Sequence, residues 1–157
     1  MKLATGVEWA VHCCVVLSAA DGPVPAPRLA EFHGVSRTYL AKSLQALSRA
    51  GLVSSTEGRE GGYVLNRPPA EITVLDVVLA VEGDAPAFRC TEIRQNGPFG
   101  APPERCVRPC GIAAVMAQAE QAWRDSLAAT TIADLAAAVA EIVPPDEARA
   151  ARAWLSQ

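Results

Sequence analysis

Aromatic residues are scarce in this 157-residue chain: three Trp, two Tyr and three Phe make up 5% of it, while alanine is frequent. That balance favours helices over sheets. No apolar run is long enough to cross a bilayer, and Lys2, Glu8 and His12 break up the first segment, so no membrane span is expected. No A-x-A cleavage pattern follows a central apolar block, so no signal peptide is expected either, and the expected location is cytoplasmic. Thiols stay reduced there, which argues against a structural disulfide among the five cysteines and raises the weight of metal or redox chemistry. No motif places a cysteine, a histidine and an orienting third group as a nucleophilic site would need, so an enzyme is not expected. The length suits one domain, or one domain with an extension.

Net charge is −3, which alone does not suggest nucleic acid, but the charge is unevenly spread. Between Arg28 and Arg67 lie six basic residues (Arg28, Arg37, Lys42, Arg49, Arg59, Arg67) against three acids, so that segment is +3 and the remainder −6. Periodicity places a helix over residues 2–20, with Val7, Ala10, Val11, Cys14 and Val15 on a buried face. After the breaker-rich DGPVPAP, a short helix is expected over 27–33, stopped by Gly34. Ser36 is placed to cap a further helix over 37–50, whose Leu40, Leu44 and Leu47 form one stripe. Two β-favouring runs, 52–56 and 63–65, flank the tip GREGG and read as a hairpin. A helix over 73–82 with Thr73 near its start follows, then a loop over 84–110, a long helix over 111–129 and a shorter one capped by Thr131. The last dozen residues read as a weak helical tail of the kind that is often mobile.

Helix, short helix, tight turn and helix make a helix-turn-helix, and the hairpin after it is a wing. The expected fold is therefore mostly α with a small β-hairpin: a winged helix-turn-helix domain plus a long dimerisation helix. The expected units are residues 1–83 for DNA binding, 84–110 for the cysteine loop, 111–143 for dimerisation helices and 144–157 for the tail. The side chains expected at double-stranded operator DNA are Ser36, Arg37, Thr38, Tyr39, Lys42 and Ser43 from the second helix, and Arg59 from the wing tip. Arg37 suits bidentate contact with guanine, Lys42 and the hydroxyls suit phosphates, and Arg59 suits a narrow minor groove. Singly, each of these is as well explained as a solvated helix face. An isolated long helix with Ile112, Val115, Met116, Ala119, Trp123 and Leu127 in a stripe is expected to pair with its copy in a homodimer.

The loop RCTEIRQNGPFGAPPERCVRPCG holds Cys90, Cys106 and Cys110, and its four prolines exclude a helix over most of its length. Three thiols are compatible with a disulfide and a spare, with a metal site short of a ligand, or with no site. Cys13 and Cys14 sit in an apolar helix and read as packing residues.

The run SRTYLAKSLQALSRAGLVSSTEGREGGYVLNRPPAEITVLDVVLAVEG resembles the IscR/NsrR-type iron–sulfur winged-helix regulators. The shared features are the S-x-x-Y-L-x-K-x-L-x-x-L recognition helix, G-L-V, the G-R-x-G-G-Y wing and I-T-V-L-D-V-V-x-A-V-E-G. With the loop and the long helix, the likeness covers about residues 1–135 and implies a homodimeric repressor or activator governed by a cluster. The cysteine spacing departs from the family's closer grouping, with fifteen residues between Cys90 and Cys106 and three between Cys106 and Cys110. A fully protein-bound centre needs four ligands, so three loop thiols need help from elsewhere. Resemblance to the RsrR-like redox sensors of the family implies Cys90 and Cys110 from one chain with Glu8 and His33 from its partner, and Cys106 as an alternative ligand. The implied cofactor is a [2Fe–2S] cluster, with [4Fe–4S] or Zn as alternatives; a zinc site would use Cys90, Cys106, Cys110 and His33. His12, one turn from Glu8, competes as a ligand, and Trp9 beside Glu8 is a candidate for coupling cluster state to DNA.

Overall fold

A computed structural model describes residues 3–56, 58 and 61–157. Among these residues are seven α-helices, three short 3-10 turns and one two-stranded antiparallel sheet. α1 (Thr5–Ala19), α2 (Ala26–Phe32) and α3 (Arg37–Arg49) precede strands β1 (Val53–Ser55) and β2 (Tyr63–Leu65). α4 (Val74–Glu82), α5 (Gly111–Ala128), α6 (Ile132–Ile142) and α7 (Pro145–Leu155) follow. The expected class is the observed one, a winged helix-turn-helix with helices added after it.

α1 is the centre of the core rather than a helix with a single buried face. It is packed by α3, α4 and α6 and buries Val7, Ala10, Cys13, Cys14 and Leu17. A helix apolar on most sides is read correctly only as a central one. Burial pushes the Cys13 and Cys14 thiols up to about 12, which keeps them protonated packing groups. α3 follows its sequence stripe, burying Leu40, Leu44 and Leu47.

Two helices start where their threonines predict. Thr73 and Thr131 each accept from the N–H three residues on, and Asp76 and Asp134 accept from the threonine N–H in return. The two caps also meet each other: Val74 N–H donates to Thr130 C=O at 2.9 Å, and Ile132 N–H donates to Ile72 C=O at 2.8 Å. These bonds tie the start of α6 to the start of α4. In the wing, β1 and β2 pair Val53 with Leu65 and Ser55 with Tyr63, and Tyr63 is bridged on to Val24 ahead of α2. The hairpin is thereby attached to the helix-turn-helix.

One expectation changes. The segment after Pro144 is not a loose tail: α7 spans Pro145–Leu155, and Leu155 is buried in the core cluster. α5 has no fully buried residue. Its Trp123 and Leu127 are half-buried and the helix packs on α4, while Ile112, Val115 and Met116 stand 69%, 63% and 40% exposed. No helix among the described residues is long and apolar enough to cross a membrane.

Candidate functional site

Gly34 reverses the chain between α2 and α3 with φ +63°, a conformation that costs a side-chain-bearing residue energy. Val35 N–H closes the turn on Ala30 C=O at 2.9 Å. Ser36 takes the N-cap position of α3, but its side chain makes no capping bond, which leaves the hydroxyl available at the surface. Ser36, Arg37, Thr38, Tyr39 and Lys42 are all exposed on one side of the helix, opposite the leucine stripe. Ser43 is the exception and is removed from this set. It is 4% exposed, and its hydroxyl donates to the Gly6 carbonyl at 3.1 Å, so it joins α3 to α1. Arg59 lies outside the described residues.

Tyr39 links this surface to α1. Its ring carries Lys42 Nζ 5.3 Å from the centroid and meets the Trp9 ring edge-on at 6.2 Å. Trp9 borders a cleft of ≈ 300 Å³ lined also by Glu8, His12, His33 and Val35. His33 forms the C-cap of α2, with its ring edge-on to Phe32 at 5.1 Å and to His12 at 5.7 Å. Although the ring is partly exposed, its Nε2 is buried without a hydrogen-bond partner. Burial first, and the neighbouring His12 second, hold His33 below the ordinary imidazole range. A neutral imidazole with an unpartnered buried nitrogen is a suitable metal ligand.

The cysteine loop is organised around a cation. The Arg94 guanidinium donates to both Glu92 carboxylate oxygens, at 2.6 and 2.8 Å, and to Arg108 C=O at 2.9 Å. It thus joins the first half of the loop to the stretch before α5. This bond holds Glu92 below the usual carboxylate range and raises Arg94 above its own, with further charge contributions to Arg94 from Cys106 and Cys110. Glu92 has φ +54°, uncommon for a residue with a side chain. Its N–H donates to Cys90 Sγ at 3.4 Å. Cys110 stands at the N-cap of α5, where its Sγ accepts from Ala113 N–H at 3.4 Å. Hydrogen bonds to sulfur thus fall on Cys90 and Cys110, the pair implied by the resemblance, and among the described residues none is found at Cys106. The loop base is tied to α5 as well: Arg124 bridges Asp84 and Glu120, and Glu120 accepts from Ala87 N–H at 3.0 Å.

Within one chain, Glu8 and His33 share the cleft and the three thiols share the loop. No three His, Cys, Asp or Glu side chains among the described residues gather into one metal site. In donor type alone, the unpartnered His33 nitrogen, the Glu8 carboxylate in the same cleft and two sulfurs that accept N–H bonds fit the ligands of an iron–sulfur centre. Sequence reasoning missed Arg94 and Glu92. The signal was the Glu-x-Arg spacing, which reads as ordinary loop charge until the turn at Glu92 brings the two together.

The profile of the Rrf2 family, described as an iron-dependent transcriptional regulator, matches residues 3–138. Protein aau3 of Rhizobium meliloti (strain 1021) is 37% identical over 144 residues, 90% of this chain and 89% of that protein. The regulator IscR of Photorhabdus laumondii is 38% identical over 92 residues, 57% of this chain, and the match spans only 56% of that protein's length. Among solved structures, T. potens IscR superposes with TM-score 0.70 at 25% identity, covering 92% of each chain. CymR, the global cysteine regulator of B. subtilis, superposes with TM-score 0.67 at 26% identity, covering 87% of this chain and 97% of that one. A winged helix with an exposed basic recognition face, matched over most of its length, identifies a DNA-binding transcriptional regulator and not an enzyme: the chain belongs to the Rrf2 family.

Proposed function

We propose that this regulator works as a homodimeric repressor of the RsrR-like kind, reading redox state through a [2Fe–2S] cluster shared between subunits. Glu8 and His33 of one subunit and Cys90 and Cys110 of the other are the ligands. The observation that carries this reading is the buried His33 Nε2 without a partner, in a cleft with Glu8. The N–H bonds to Cys90 and Cys110 sulfur support the same choice. A bound cluster supplies one-electron redox chemistry.

The protein's own residues supply the rest. Two thiolates, a carboxylate and a neutral imidazole leave the oxidised centre less negative than four thiolates would, so an electron is accepted more readily, as in His-ligated Rieske centres. Trp9 sits between the Glu8 cleft and Tyr39 on the recognition helix. A shift of α1 at Glu8 is therefore felt at α3 through packed rings. The exposed Ile112, Val115 and Met116 face of α5 supports the dimer, as 18 residues of helix present about 27 Å of apolar seam. With half-sites about 34 Å apart, a small tilt at one reading head misplaces it on the operator.

Anaerobically purified protein is expected to be coloured, to hold equal iron and sulfide, and to bleach with dithionite and recover in air. Loss of colour that does not return, or protein holding only zinc, retires the reading. A second reading, thiol- or zinc-based control by Cys90, Cys106 and Cys110 with His33, is favoured by the exposed loop and by the likeness to CymR. Colourless protein whose operator binding is switched by thiol oxidants is its signature.

A further inference from the structure

α7 lies beyond the residues that the family profile matches, 3–138, yet it is docked on the first helix of the helix-turn-helix. Leu155 is 4% exposed within the core cluster. Beside it, Trp154 lies under the Arg28 guanidinium, whose Cζ is 4.5 Å from the ring centroid. Its ring also meets Phe32 at 6.2 Å. Phe32 in turn meets His33 edge-on at 5.1 Å, and His33 meets His12 at 5.7 Å. A row of four rings thus runs from α7 across the end of α2 to α1.

α2 needs such support. It has seven residues and no side-chain N-cap bond, and a helix that short does not hold its shape in water unaided. Its one intrahelical ion pair, Arg28 with Glu31, is 4.0 Å long and partly exposed, so it contributes little. His33 is the C-cap of this helix. The direction of its imidazole is therefore set by whatever fixes the last turn, and Phe32, the neighbour on the α7 side, is held from outside by Trp154.

We propose that Trp154 is a positioning residue for His33, acting through Phe32, so that α7 fixes the direction in which the His33 ring presents its unpartnered nitrogen to the Glu8 cleft. The use of that direction rests on the reading of His33 as a cluster ligand; the positioning itself does not. The chemistry asked of Trp154 is aromatic contact, which Phe retains and Ala does not.

The test compares wild type, Trp154→Ala, Trp154→Phe, Phe32→Leu and Ile72→Val, the last a core trim at the α6 junction that lowers stability away from α7. Long-range proton–nitrogen NMR of cluster-free protein reads the His33 ring, and EPR of the reduced, reconstituted protein reads the centre. Trp154→Ala and Phe32→Leu are expected to lose the single His33 ring pattern and to shift the EPR signal. Trp154→Phe is expected to restore both, and Ile72→Val to leave both unchanged. An unchanged His33 pattern in a folded Trp154→Ala or Phe32→Leu overturns the positioning role, as does the same change in Ile72→Val. Wild type that binds no iron while His33 still answers to Trp154 retires the cluster reading and leaves the positioning standing.

Discussion

Ser43 and Arg37 sit six positions apart on α3 and have opposite fates. Arg37 is exposed at the start of the helix, where a guanidinium can reach guanine O6 and N7. Ser43 is spent on Gly6, whose lack of a side chain lets α1 and α3 approach: a Cβ there would lie 3.1 Å from Ser43 Oγ. Arg37→Ala is expected to weaken operator binding by about 1–3 kcal/mol, roughly 5- to 150-fold, in a fluorescence anisotropy titration at fixed salt. Ser43→Ala is expected to leave that affinity within error and to lower unfolding free energy by about 1 kcal/mol in urea. Both residues have helix-compatible polar side chains, and only the three-dimensional packing separates them.

His33 gives a pH signature at the same scale. Its folded-state proton affinity is lowered, first by burial and then by His12. In the window from its unfolded value, about 6.5, down to the lower folded value, the unfolded chain therefore binds more protons than the folded one. Stability is full above that window and declines as the pH falls through it. His33→Gln in cluster-free protein is expected to flatten the decline in Tm between about pH 7 and pH 5; an unchanged slope would show that His33 does not contribute it.

At the scale of elements, helix starts were legible where the chemistry is local. Thr73 and Thr131 carry their carboxylate partners three residues on, and the α3 stripe is periodic. Contacts distant in sequence were not. α7 offers only Trp154 and Leu155 as apolar anchors, and nothing local tells that they meet Arg28 and the core. The mobile tail expected there is instead a clamp on α2. The loop was legible as a loop, but not the Glu92–Arg94 pair that closes it on Arg108. The division of cysteines between elements has a direct consequence. Cys13 and Cys14, buried in α1 with thiols pushed to about 12, are expected to resist iodoacetamide in folded, cluster-free protein. Cys90, Cys106 and Cys110 in the loop are expected to react, giving three adducts by mass spectrometry before denaturation and five after.

At the scale of the whole molecule, one chain holds the cleft of Glu8 and His33, a separate thiol loop and an exposed stretch of α5. The cleft of Glu8 and His33 belongs to the DNA-reading unit, and the thiol loop is tied by Arg124 to α5. In the proposed dimer, a second copy seated on the exposed α5 face brings the cleft of one chain and the loop of the other into one site. That proposal places the redox chemistry across the joint whose angle sets the spacing of the two recognition helices. This arrangement could be suspected from the sequence through family likeness alone, because neither half is a complete ligand set by itself.

Subunit complementation tests the shared site most directly. A chain carrying Cys90→Ala and Cys110→Ala is co-expressed with a differently tagged chain carrying Glu8→Ala and His33→Ala, and the mixed dimer is isolated anaerobically. Each variant homodimer is expected to hold no cluster. The mixed dimer is expected to hold one, half the iron and sulfide of wild type, because the Glu8 and His33 of the first chain still face the intact thiols of the second. A mixed dimer as empty as the two homodimers would contradict the account, since a site built within one chain cannot be rebuilt by pairing these two.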